Sequence, residues 1–202
     1  FTYSQGLEWA VAEHWVHDRA TLASWLRSLL DNSIASLDLP LLLRLQRACA
    51  NADWPAFRHW CGFLLSSRET MELRTEERQR GAALAKLLIA LDVPVPEAAR
   101  DCIASSQLAG MALAANCCNI PAEKTCAGYG WNWLESTITA GVKLIPLGQT
   151  QGQQLTLEMA GRLPAAISAA AALDNDNIGS STAAQAIASS RHENQYTRLF
   201  RS

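Results

Sequence analysis

The stretch Trp131-Asn-Trp-Leu-Glu-Ser-Thr-Ile-Thr-Ala-Gly-Val142 decides the fold class. Trp131, Leu134, Ile138 and Val142 recur at steps of three and four, one apolar stripe of an α-helix. By that reading Trp131 is on the core stripe. Trp133 falls off it, available for a second core layer, a contact surface or a dimer interface. Lys143 also falls off the stripe and is expected in solvent. Pro121 opens this segment and Pro146-Leu-Gly148 ends it. Downstream, Leu155, Met159 and Leu163 form another stripe, closed by Pro164. Asp174-Asn-Asp-Asn-Ile-Gly179 reads as a loop, with Ser181 or Thr182 capping a last helix.

Upstream the pattern holds. Ser4 is placed to cap a helix running to about His14. Asp18 caps a second, with Leu22, Leu26, Leu29 and Leu30 at helical spacing. Pro40 suits the first turn of a third, and Asp53-Trp-Pro55 starts a fourth. A long helix is expected from Ser66 to Leu91, with Pro94 and Pro96 ending it and opening the next. No segment alternates apolar and polar residues with β-branched enrichment, so no strand is expected. The expectation is an all-α, single-domain bundle of roughly eight to ten helices with short connections.

The 202 residues are 49% apolar with a net charge of −2, enough for a sizeable core and without a basic footprint for nucleic acid. No run reaches the length of a membrane span, and no polybasic stretch suits a membrane surface. The six cysteines, Cys49, Cys61, Cys102, Cys117, Cys118 and Cys126, contain no CxxC and match no zinc spacing. They read as small buried hydrophobes of a reduced, cytosolic protein, with the adjacent Cys117-Cys118 pair the one to watch. No P-loop, GxSxG or Cys/His signature appears, so no catalytic residue is assigned. Glu8, Glu13, His14, His17 and Asp18 lie close together, and Glu13 and His17 are at i,i+4. A metal site needs three or four convergent ligands, so these read as polar residues at a helix end. His59, beside Trp60, reads as a packing partner.

Two segments stand out. Arg68 to Arg80 holds Arg68, Glu69, Glu72, Arg74, Glu76, Glu77, Arg78 and Arg80, with only Met71 and Leu73 apolar. Glu72 is at i,i+4 from Arg68, and Glu76 from Arg80. Three readings are open: a solvated face, a charged docking surface or a buried ion network. The terminal Arg191-His-Glu-Asn-Gln-Tyr-Thr-Arg-Leu-Phe-Arg-Ser202 carries Tyr196, Leu199 and Phe200 among arginines. Such anchors suit either a partner-binding tail or a last turn docked on its own core.

Four blocks resemble, in order, the UreF family of urease accessory proteins. They are Phe1-Thr-Tyr-Ser-Gln-Gly-Leu-Glu8, Arg68–Gly81, Gly130–Glu135 running on to Val142–Gln149, and Ala186–Ser202. The chain starts on Phe1 rather than an initiator Met, and a trimmed N-terminus is the expectation. The resemblance implies an all-α homodimer without enzymatic activity, a cytoplasmic chaperone or scaffold in urease maturation. It implies assembly with UreD (also called UreH) and the GTPase UreG on urease apoprotein, promoting GTP-dependent nickel insertion. Nickel and GTP then act in the wider complex, and this chain holds no cofactor. On the matched blocks, Arg191, His192, Glu193, Gln195, Tyr196, Arg198, Leu199, Phe200 and Arg201 are expected to contact UreD. Gln5, Glu8, Glu69, Glu72, Arg74, Glu76, Arg78, Trp133 and Lys143 are candidates for other partner or dimer surfaces. The alternatives are a metal-dependent helical-bundle enzyme and a generic dimeric adaptor.

Overall fold

A computed structural model describes residues 3–200, and its regular structure is helical throughout these residues. Eleven α-helices follow in order: α1 Leu7–Ala12, α2 Arg19–Leu29, α3 Leu39–Ala50, α4 Trp54–Ser67, α5 Met71–Ala90, α6 Arg100–Ser105, α7 Gln107–Cys117, α8 Ala122–Leu144, α9 Gln149–Ala160, α10 Leu163–Ala172 and α11 Ala183–His192. A π-helical segment, Leu30–Asp38, joins α2 to α3 without a break, which leaves ten separate rods.

Pro40 accounts for part of this join. It stands at the start of α3, where its missing N–H is tolerated. It cannot donate to the Ser36 carbonyl four residues back, and that carbonyl instead accepts the Gly179 amide at 3.0 Å. One proline thus ties the 174–179 loop to the bundle centre. The expected caps at Asp18 and Asp53 are present, accepting from the Thr21 and Ala56 amides. Ser4 does not cap α1. The chain turns through left-handed Gln5 and Gly6, and α1 starts at Leu7. Thr182 occupies the cap position of α11, but its hydroxyl reaches toward the Ser28 carbonyl.

Helix α3 lies at the centre, against α4, α7, α8 and α10. Surrounded in this way, it buries Leu39, Leu41, Leu42 and Leu45 on nearly every side. Helix α7 also packs on α5, where Gly110 comes so close that a Cβ would lie 2.8 Å from the Leu84 side chain. Helix α8 packs on α9 along one side and on α3 and α10 along others. Its buried arc is therefore wider than the stripe read from sequence. Trp133 is 4% exposed and belongs to the core, whereas Trp131 is 43% exposed. Trp131 is thus off the core rather than on it, and of the readings open for Trp133 the second core layer holds, because Gly130, Thr137 and Gly141 also lie on the buried face and carry no hydrophobic signal. Pro164 likewise opens α10 rather than closing a stripe.

The expected single helix from Ser66 to Leu91 is two-part. Arg68 is extended (ψ 110°), and Thr70 caps α5 through the Leu73 amide. Further along α5, Gly81 sits against the start of α7: a Cβ there would lie 2.4 Å from the Ser106 nitrogen. Gly81→Ala should cost about 1–3 kcal/mol through backbone displacement. Gly128→Ala, on an open face of α8, should gain about 0.5–1 kcal/mol. Thermal unfolding of both checks this; equal midpoints would show that the α5–α7 approach is not constrained at Gly81.

Candidate partner-binding site and its charge network

Carbon-rich surroundings make an isolated charge costly, so each buried ionisable group needs a partner. Asp38 sits in the apolar run Leu37-Asp-Leu-Pro-Leu-Leu-Leu43 and is 2% exposed. Arg68 pairs with it at 2.9 Å and with Glu77 at 3.0 Å. The Tyr129 hydroxyl donates to the other Asp38 oxygen. Glu77 in turn accepts from the Ser106 hydroxyl at 2.9 Å and the Gln107 amide at 2.8 Å, so a carboxylate faces the positive end of α7. Burial pulls the Arg68 pKa down, but Asp38 and Glu77 outweigh it and hold the guanidinium charged. Burial and the Asp38 charge push the Tyr129 pKa well up, keeping its donor proton.

Beside this cluster, Arg80 pairs with Glu76 at 2.9 Å across one helical turn, as its spacing predicts. Gln5 donates to the same carboxylate at 2.9 Å. Burial raises the Glu76 pKa against the pull of Arg80 and Gln5.

A third cluster lies where the chain's two ends meet. Helix α11 delivers His192, fully buried, between two carboxylates. Its Nδ1 is 2.9 Å from Glu72, and its Nε2 is 3.3 Å from Glu8. Arg198 pairs with Glu72 at 3.0 Å, and the Leu199 and Phe200 amides donate to Glu8 at 2.6 and 2.9 Å. Thr70 and Ser189 share a 2.7 Å hydrogen bond alongside. Gly6 makes room for this meeting: at φ +85° it comes so close to α11 that a Cβ would sit 2.7 Å from the Ser189 nitrogen. The terminal segment is thereby held with Phe200 inward and Tyr196 and Leu199 outward, the last two 103% and 64% exposed. A groove of about 410 Å³ adjoins it, lined by Tyr3, Met71, Glu72, Gln79, Glu193 and Arg198.

A family model described as UreF matches residues 16–160. The chain belongs to the UreF family. It is 50% identical over 202 residues to the urease accessory protein UreF of Pseudomonas putida F1, covering all of this chain and 90% of that protein. It is 48% identical over 212 residues to the protein of the same description from Alcanivorax borkumensis SK2, covering 100% and 91%. That from Klebsiella pneumoniae 342 is 46% identical over 202 residues, covering 100% and 90%.

In this UreF-family chain the structure brings together Glu8, Glu72, His192, Glu193, Arg198, Leu199 and Phe200. Gln195 is half-buried, and its side chain bonds the Thr197 carbonyl. Arg191, Glu69 and Arg78 are exposed, and Arg74 donates to the Arg68 carbonyl at 2.6 Å. Lys143 is exposed as expected, but it lines a separate cleft with Glu135, Gln149 and Gln153. Trp133 is buried within this chain, so a contact surface at that side chain is withdrawn. Arg201 lies outside the described residues. Glu72 does not pair with Arg68, because the two are not on one helix. The 68–80 stretch is an ion network on its inner face and solvated at Arg78 and Gln79. Glu13 and His17 do not share a helix either, since α1 ends at Ala12. No group of three or more His, Cys, Asp or Glu suited to a metal occurs among the described residues. Cys49, Cys61, Cys102 and Cys126 are buried thiols, and Cys117 and Cys118 are exposed.

Sequence reasoning passed over Asp38, Tyr129 and Ser106. The signal for Asp38 was available: a carboxylate inside a leucine run requires a cation. Arg68→Ala leaves Asp38 and Glu77 buried and unpaired, and should cost about 3–5 kcal/mol in urea unfolding at neutral pH. Arg78→Ala, on the exposed side of α5, should stay within about 0.5 kcal/mol. Equal stability of the two variants would show that the inner cluster is not required.

Proposed function

We propose that this chain is a urease accessory protein acting as a non-catalytic scaffold in urease maturation. It assembles with UreD (UreH) and the GTPase UreG on urease apoprotein, and the assembly promotes GTP-dependent nickel insertion. It works as a homodimer in the cytoplasm. Nickel is the cargo of the assembly and GTP the substrate of its GTPase, and neither is a resident cofactor here. Family membership over nearly the full length of the relatives supports the urease role. No helix among the described residues is long and apolar enough to cross a membrane.

The single observation that carries the scaffold reading is the presentation of the terminal segment. Its backbone is fixed from below by Glu8, while Tyr196 and Leu199 project into solvent. A pre-ordered segment with an aromatic and an aliphatic anchor meets a partner at a lower ordering cost than a free tail. We assign this face to UreD. Gln5, Glu69, Arg74, Arg78 and Lys143 remain for UreG or the second copy.

Tyr196→Ala with Leu199→Ala removes exposed anchors without touching the core. In cells lacking their own copy of the protein, the double variant should recover at least tenfold less UreD by co-purification and restore correspondingly less urease activity, with unchanged helicity. A tenfold loss is about 1.4 kcal/mol, modest for two anchors. Full UreD recovery would remove the terminal face from the interface. Failure of the intact chain to restore urease would remove the maturation role itself.

A further inference from the structure

His192 has a carboxylate oxygen against each ring nitrogen, Glu72 at Nδ1 and Glu8 at Nε2. A neutral imidazole has one N–H and would turn a lone pair toward the other carboxylate. An imidazolium donates to both. The same Glu8 carboxylate receives the Leu199 and Phe200 amides, so the ring's proton and the terminal backbone share one acceptor. We propose that His192 is a proton-operated latch: its imidazolium bridges Glu8 and Glu72 and holds residues 198–200 down, and loss of one proton releases them. This goes beyond the scaffold reading and does not depend on it, since the latch belongs to the isolated chain.

The charged groups facing the site come from three elements. Glu8 comes from α1 and Glu72 from α5. Arg198 and Glu193 come from the terminal segment, the former paired with Glu72 and the latter accepting the Glu72 amide at 3.2 Å. With His192 protonated, three carboxylates, Glu8, Glu72 and Glu193, face two cations, His192 and Arg198. Deprotonation adds one more uncompensated negative charge to a site where Glu8 is 7% exposed and Glu72 8%. The weak member then is the pair of amide bonds to Glu8, because Leu199 and Phe200 lie beyond the end of α11 at His192 and can leave without unfolding a helix.

The direction of pH dependence follows. Burial lowers the His192 pKa, but hydrogen bonds and charge from Glu72 and then Glu8 outweigh it and hold the value above the ordinary 6.5. A raised folded-state pKa gives stabilisation that is fully present below the unlatched value and lost as pH rises through the folded one. The terminal segment is therefore held on the acidic side of that window and freed on the alkaline side.

Nuclear magnetic resonance on the intact chain tests this. The ring carbons of His192 are followed from about pH 5 to about pH 9, which brackets the ordinary histidine range. Exchange protection of the Leu199 and Phe200 amides is measured in parallel and corrected for intrinsic base catalysis. Protection should fall along the His192 titration, by about tenfold for each unit by which its latched pKa exceeds the unlatched one. Core amides such as Leu64 should not follow it. His192→Gln, which keeps hydrogen bonding but not the charge, should abolish the transition. Protection that falls away from the His192 curve, a His192 that never titrates in this range, or a transition that persists in His192→Gln would each overturn the latch. Should the variant not fold, the coincidence of the two wild-type curves decides alone.

Discussion

Arg68 stands with a side chain 13% exposed between Asp38 and Glu77, and much of the architecture is arranged to keep it there. Asp38 belongs to the π-helical join before α3, Glu77 to α5, Tyr129 to α8, and the groups that complete Glu77 to the start of α7. One guanidinium thereby fixes the relative placement of four rods. A buried ion pair adds little stability over a well-packed apolar substitute, because desolvation offsets the attraction. Its effect is selective: any arrangement that misplaces one member leaves a bare charge inside. That selectivity explains the break between α4 and α5. A continuous helix through residues 68–70 would carry Arg68 away from both carboxylates, so the chain extends there and restarts on the Thr70 cap.

Helix α5 acts as the spine of the polar interior. Glu72, Glu76 and Glu77 leave it toward three different partners: the terminal segment, Arg80 with Gln5, and Arg68 with the start of α7. The inner cluster and the terminal cluster thus share one rigid element. A change in how α5 is seated would be felt at both. The terminal face described above is tied to α5 through Glu72 and to α1 through Glu8.

Much of this was legible in the residues. The 3.6 period of Leu134 and Ile138, the Asp18 and Asp53 caps, and the proline punctuation at 121 and 146 all translate into observed elements. What periodicity could not show was burial by residues without hydrophobic signal. Gly130, Thr137 and Gly141 widen the buried arc of α8 and bring Trp133 inside as a second core layer, while Trp131, read as core, stays outside. Nor could local spacing find partners far apart in sequence. Arg68 to Glu72 looked like a helical pair, yet their real partners are Asp38 and His192, from other elements. The terminal motif was recognisable as unusual; that it is held by Glu8 depends on Gly6 and a left-handed turn no periodicity encodes.

The union of Glu8 with Leu199, 191 positions away, has a consequence for how the protein is made. During synthesis the first helix leaves the ribosome long before the last dozen residues exist. Until they arrive, Glu8 lacks its amide donors and its histidine, and α1 lacks the α11 surface against which Gly6 is seated. The α1 segment, although translated before the rest of the bundle, is therefore among the last to settle, and the nascent bundle must wait with that seam open. Ribosome-bound intermediates of this fold should be native in the α3–α4–α7 centre and unfinished at α1, which emerges ahead of it.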